Sequence, residues 1–413
     1  MLEMLRGALA TTCLLAACTS PLEGEGTPEP FPFPFPEPDP GPRPGTISVT
    51  LDNLQPGWRV TTSRLVERNM PDERTIESDG SPITLFGTPT DVFVATVTDA
   101  AGNLVATHAM KAPCTLASGR RLDVPGDYPT IQGAIDEADP GDTVRVAAGT
   151  YTESVQLRPG VCLLGSGARR TILDAGGERR TLVDLTDAPG SVVSGFTMRG
   201  VAQATGCATP SDPFACSGNW YTAGVYLGPV DIPAWDDPTI DAPPIITNNV
   251  FEGNDIGVML YHHGIAVVRN NVFARNRIGF VANHYQDRTL VANNVFDDNT
   301  ELAIGNQAAY LDIIDNIIVG SQLGIRFKYI QTGHIACNVF FGNGANANED
   351  RFQIGSNGNV EAEPKFVGSG DYHLQLGSPG KDKGCHKSKV FEPDGSLPDI
   401  GAFGGPLAAW ADL

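Results

Sequence analysis

From Ile245 to Asn343 the apolar and polar positions repeat with one period. The phrases TNNVFEGN, RNNVFARN and ANNVFDDN each carry an asparagine anchor, at Asn249, Asn271 and Asn294. Weaker copies add Asn316 and Asn338, and the successive anchors stand 22, 23, 22 and 22 residues apart. Three residues before each anchor is Ile246, Val268, Val291, Ile313 or Ile335. Two after it is Phe251, Phe273, Phe296, Ile318 or Phe340, and five after it Asn254, Asn276, Asn299, Ser321 or Asn343. A constant period of this size marks stacked supersecondary units. The residues are strand formers broken by Asn and Gly turns, and the spacing is too short for paired helices. The pattern predicts an all-β, right-handed parallel β-helix with rungs of about 22 residues. Identical side chains then stack, the apolar ones filling the bore and the asparagines forming ladders at the bends.

Ahead of the repeats, Ile131, Ala134, Ile135 and Ala138 make one apolar helical face. It suits a helix that plugs the open N-terminal end of the coil and covers its strand edges. Residues 46–113 read as short alternating strands separated by turns, the pattern of a small, Ig-like β-sandwich with no chemistry of its own.

The first 17 residues hold an apolar stretch too short to span a bilayer, as in a cleaved signal peptide. Leu15–Cys18, LAAC, resembles the lipobox of bacterial lipoproteins, which implies acylation at Cys18. Residues 18–45 follow as a tether with proline at every second position from Pro28 to Pro44. Such a segment is extended polyproline II, rising roughly 3.1 Å per residue, and lifts a domain off a membrane. These features place the protein outside the cytoplasm, anchored by lipid to the outer membrane or cell surface.

The stretch from Asp123, DVPGDYPTIQGAIDEADPGDTVRVAAGTYTESVQLRPGVCLLGSG, resembles the cap and opening rungs of the pectate-lyase-like β-helix superfamily. SVVSGFTMRG resembles a further rung, and GDYHLQLGSPGKDKG with LPDIGAFGG resembles the closing segment of bacterial β-helix repeat proteins. The resemblance covers residues 122–405. It implies a fold and no single activity, because this fold hosts lyases, hydrolases, esterases, epimerases and non-catalytic surface proteins.

A long insertion, residues 202–244, interrupts the rungs. Cys207 and Cys216 lie nine apart within it, and in an exported chain they are expected to pair as a disulfide. Cys114, Cys162, Cys337 and Cys385 allow two further bridges whose pairing spacing does not decide. Trp220, Tyr221 and Trp235 in the insertion suit either sugar stacking or packing of the loop onto the coil.

Twelve and thirteen residues after each anchor come Tyr261 and His262, Asn283 and His284, Asn306 and Gln307, Lys328 and Tyr329. With His263 and Tyr285 beside them they define an outward polar and aromatic stripe. The chain carries a formal charge of −20, which argues against nucleic acid as a partner. Between Asp255 and Cys337, however, six basic residues nearly balance seven acidic ones. A face relieved of negative charge suits an acidic polysaccharide.

Arg326 and Lys328 alternate around Phe327 and so share one side. Together with His284 they are the candidates for proton abstraction beside a carboxylate. Asp297 and Asp298 read more naturally as a bend than as a hydrolase's carboxylate pair. The paired Asp, Arg and Gln of a pectin methylesterase are not recognisable, so no family's catalytic set carries over. No cofactor or metal site is expected, and calcium lacks a clear ligand cluster, with Asp312 and Asp315 its only candidates. The sequence therefore reads as a monomeric surface lipoprotein whose β-helix binds a polysaccharide or glycoconjugate. Lyase-type cleavage is more consistent with it than glycoside hydrolysis. The competing reading is a structural or adhesive surface protein.

Overall fold

A computed structural model describes residues 47–51, 55–64, 72–81, 83–87, 93–98, 100, 104–110, 119–203, 222–228, 243–261, 264–283, 289–307, 309–328, 334–348, 354–384, 396, 398–405 and 410. The signal peptide, the tether, Cys18, and the Cys207 and Cys216 pair lie outside them. So do Trp220, Tyr221 and Trp235 of the insertion. Among the described residues no helix is long and apolar enough to cross a membrane.

Within residues 47–110 the strands are antiparallel. Ile47–Leu51 pairs with Ile83–Gly87, and a four-stranded sheet is built around Arg59–Arg64 and Phe93–Thr98. From Arg121 onward the chain winds as a right-handed parallel β-helix of about nine turns, with sheets of nine, nine and eight strands. Each turn visits a back sheet (Ile245–Thr247, Val267–Arg269 and their equivalents) and then a side sheet (Val250–Glu252, Val272–Ala274). It ends in a front sheet of longer strands (Ile256–Tyr261, Ile278–Asn283, Leu302–Gln307, Leu323–Phe327).

The expected columns are internal. Ile246, Val268, Val291 and Ile313 are fully buried and share one core with Phe251, Phe273, Phe296, Ile318 and Phe340. The rings of Phe251, Phe273 and Phe296 stack at 4.8 and 4.6 Å between centroids, nearly parallel. This close stack dictates Gly279 on the front strand, where a Cβ would come within 2.8 Å of the Phe296 ring.

Two asparagine ladders run up the coil. In one, each of Asn249, Asn271, Asn294, Asn316 and Asn338 donates backbone N–H and side-chain Nδ2 to the next Oδ1, ending at Asn359. The other joins Asn254, Asn276 and Asn299 in the same way. Just before each rung of the first ladder sits a left-handed residue: Asn248, Asn270, Asn293, Asp315 or Cys337, with φ between 51° and 56°. Asn and Asp tolerate this conformation, which a two-residue corner requires.

Helix Ile131–Asp136 caps the N-terminal end, with Thr130 Oγ1 accepting from Gly133 N, and buries Ile131, Ala134 and Ile135. At the other end of the chain, Tyr372, Ile400 and Ala402 pack against Val272, Val295, Ile317 and Val339 on the outside of the side sheet. Asn270 Nδ2 donates to Ala402 O and Gly404 O, and Asn293 Nδ2 to Asp399 O. Cys162 and Cys337 stand six rungs apart, on the order of 29 Å, too far to bond each other.

Candidate functional site

The three corners of the coil differ. Back-to-side corners are constant pairs: residues 248–249, 270–271, 293–294, 315–316 and 337–338. Side-to-front corners are nearly constant: 253–255, 275–277, 298–301 and 320–322. Front-to-back connections vary widely: 228–244, 262–266, 284–288, 308–310 and 328–334. Variable connections raised on a regular scaffold are where binding residues concentrate. Here each of them leaves the coil from the C-terminal end of a front-sheet strand.

The outside of the front sheet has a floor and two rims. The floor is apolar: Tyr226, Met259 and Val281 in one line, Ile256, Ile278 and Leu302 in another, all buried although they point away from the bore. One rim is charged. Arg277 reaches Asp255 Oδ1 at 2.6 Å and Glu301 Oε2 at 2.8 Å, bridging the rungs on either side. Burial works against the Arg277 guanidinium, but these bonds outweigh it and hold the group above its ordinary pKa. Asp255 and Arg277 stand six residues after their anchors and Glu301 seven, so no single repeat offset exposes this triad in the sequence.

The other rim is the expected stripe, with one correction. Strand register aligns Tyr261, Asn283 and Gln307. Lys328 N donates to Asn306 O one rung on. Asn306, counted into the stripe at a fixed offset, instead points inward. It aligns with core residues Ala282 and Phe327, and its amide closes the turn through Ala309 N and O. The cause is connection 298–301, one residue longer than 275–277, which delays the following strand. Tyr261 and Lys328 are half-buried, whereas Asn283 and Gln307 are 1% and 4% exposed. His262, His263, His284, Tyr285 and Tyr329 lie outside the described residues.

Phe327 is in the core, and Arg326, opposite Gly305, faces the same outer side as Lys328. Of the other described cations, Arg277 lies on the opposite rim, and Arg269 and Arg275 lie on other sheets. Arg269 is buried on the back sheet, with Nη2 on Asn293 Oδ1, and burial brings its pKa down to about 10 despite Asp315. Arg275 pairs with Glu252 on the side sheet. The near-neutral charge balance of residues 255–337 is thus spread around the coil.

The proposed calcium candidates also separate. Asp315 belongs to the left-handed corner, while Asp312 Oδ1 accepts from His334 N at 2.8 Å and lies 3.2 Å from His334 Nδ1. Among the described residues no group of three His, Cys, Asp or Glu is placed to hold a metal ion. Asp297 is far from a catalytic pair: its Oδ2 accepts from Tyr372 Oη at 2.8 Å on the side sheet.

The winding, register and capped end together decide the architecture. The chain is a right-handed parallel β-helix. Residues 170–359 match the family model described as "Periplasmic copper-binding protein (NosD)". No curated protein matches the chain in sequence. Among solved structures, the β-helix is similar to the catalytic domain of a GH87 α-1,3-glucanase in complex with tetrasaccharides, at 10% identity and TM-score 0.35. That alignment covers 73% of this chain and 60% of the glucanase domain. A pectin methylesterase from carrot is similar at 12% identity over 60% of this chain and 87% of its own, TM-score 0.30. A Family 28 exopolygalacturonase of Yersinia enterocolitica follows at 15%, over 63% and 61%, TM-score 0.31.

Proposed function

We propose that this β-helix is an extracytoplasmic polysaccharide-binding protein, with the sugar chain lying along the outer face of the front sheet. The observation that carries the reading is the line Tyr261, Asn283 and Gln307, continued by Lys328, beside a continuous apolar floor. Tyr261 and Lys328, both partly exposed, bring a phenol and an ammonium group to the surface for a sugar chain, while buried Asn283, Gln307 and the apolar floor fix the shape of the face beneath them. Successive side chains stand about 4.8 Å apart, close to the length of one sugar unit in an extended chain. Arg326 and Lys328 at one end favour a glycan bearing carboxylates or sulfates. The periplasmic description of the matched family agrees with an exported chain. In this reading the lipidated Cys18 and the proline tether hold a monomer at the membrane surface.

Copper, named in that family's description, finds no fitting set of ligands among the described residues. The test is an array of neutral and acidic polysaccharides probed with wild type and Tyr261→Ala. Retention of an acidic glycan by wild type, weakened at least tenfold in the variant, supports the reading. Silence across the array removes it and leaves the structural or adhesive surface protein.

A further inference from the structure

We propose that Glu361 keeps the C-terminal end of the coil from joining a second copy of the chain end to end. The inference is independent of the polysaccharide reading.

The two ends of the coil are finished differently. At the N-terminal end, helix Ile131–Asp136 caps the bore, and two of its backbone N–H groups bond Glu153. Gln132 also stands in for the missing neighbour of Val155–Gln156, the first strand of the front sheet. Its Nε2 donates to Gln156 O at 3.3 Å, and its Oε1 accepts from Gln156 N at 2.8 Å. The edge bonds of that strand are therefore already made. At the C-terminal end the three sheets finish in Ile335–Ala336, Val360–Glu361 and Ala345–Ala347. The described residues contain no second helix to cover them, and uncovered strand edges are templates for another chain.

What stands at this end of the bore is a charge. Strand register threads one inward column through Phe251, Phe273, Phe296, Ile318 and Phe340, all in the core. The next member is Glu361, and it is exposed. The neighbouring inward columns end in Ile335 and Ala347, both half-buried. A second copy set on this end would press two Glu361 carboxylates into an apolar bore. Like charges taken out of water together are strongly disfavoured. An inward-pointing charge is one of the ways in which a sheet edge is kept from pairing.

A simpler explanation is that the last rung faces water and takes polar residues throughout. It does not account for Val360, apolar and 36% exposed on the same strand, or for Phe341, 42% exposed one rung before. The charge occupies the position that a stacked rung would bury most. Because the N-terminal end is finished, open ends can meet only each other. Such a contact is isologous and ends at a dimer instead of growing into a fibre.

The test is sedimentation velocity of the full chain, with Cys18→Ala throughout so that no acyl group drives association. This parent should stay monomeric across the micromolar range. Glu361→Phe, which continues the column, should dimerise at least tenfold more tightly while keeping the circular dichroism of the parent. Glu361→Gln removes the charge and keeps the shape. It should also dimerise more tightly, and it decides the matter if the Phe variant does not fold. Glu178→Phe makes the same exchange on an exposed turn of an early rung and should stay monomeric. Dimers from the folded Glu361 variants and none from Glu178→Phe support the proposal. A dimeric parent, either folded Glu361 variant no tighter than the parent, or equal dimerisation by Glu178→Phe overturns it. Growth beyond dimers overturns the assignment of a single open end.

Discussion

Asn271 Oδ1 accepts two hydrogen bonds from Asn249, one from its backbone N at 3.1 Å and one from its Nδ2 at 3.2 Å. The same pair of bonds recurs from Asn271 to Asn294 and upward to Asn359, which makes this column a continuous, buried hydrogen-bond ladder. Asn294→Leu would strip partners from Asn271 N, Val268 O and Asn316 Oδ1, all of them buried. Each loss costs about 1–3 kcal/mol. Denaturant unfolding should show a drop of several kcal/mol; a loss below 1 kcal/mol would mean the ladder is dispensable.

Phe273 lies between two stacked rings in the bore. Phe273→Ala should cost roughly 3–5 kcal/mol, since neighbouring rungs cannot collapse into the gap. Phe273→Leu should recover most of that loss. Equal melting of the two variants would contradict a tightly packed column.

Most of the coil was legible in the sequence because a β-helix repeats its solution. Inward Phe296 and ladder Asn294 must match their neighbours one rung away, so period alone exposes them. Legibility failed where the period slipped. A single added residue in 298–301 turned Asn306 inward and left Gln307 in the outer line. It failed again where contacts join distant chain segments. Nothing in the local sequence ties Asn270 to Ala402 or Tyr372 to Asp297, and the bond between Asp312 and His334 becomes visible only once Leu290, Asp312 and the start of the next rung are in register.

The docking of the C-terminal segment gives a clean contrast. Asn270→Gly keeps the left-handed corner at no steric cost but removes the donors to Ala402 O and Gly404 O. It should destabilise by about 1–3 kcal/mol and speed proteolysis within residues 398–405. Asn248→Gly, whose Nδ2 bonds Thr247 Oγ1 next door, should change far less. Equal effects would show that the segment is not held by these amides.

Two aspartates should give opposite pH signatures. Burial, reinforced by Asp298, raises Asp297 against the opposing bond from Tyr372. A raised folded pKa contributes stability at low pH that is lost as pH climbs past it, so Asp297→Asn should stabilise at neutral pH and lose its advantage in acid. Asp142 is buried too, but bonds from Asp139 N and Arg120 outweigh burial and lower it. Its contribution is present at neutral pH and disappears as pH falls through the folded value, so Asp142→Asn should destabilise most near pH 7. Melting curves from pH 3 to 8 check both signs, and parallel curves would refute them.

The central claim is that one face of the coil, and not its general surface, engages an acidic polysaccharide. Equilibrium binding of the array's strongest acidic glycan to Lys328→Glu and Arg145→Glu tests it most directly. Lys328 continues the polar line of the front sheet, whereas Arg145 is exposed on the back sheet. The account predicts at least a tenfold loss for Lys328→Glu and an affinity within twofold of wild type for Arg145→Glu. Equal weakening by both reversals would contradict it, because binding would then follow net charge rather than the front face.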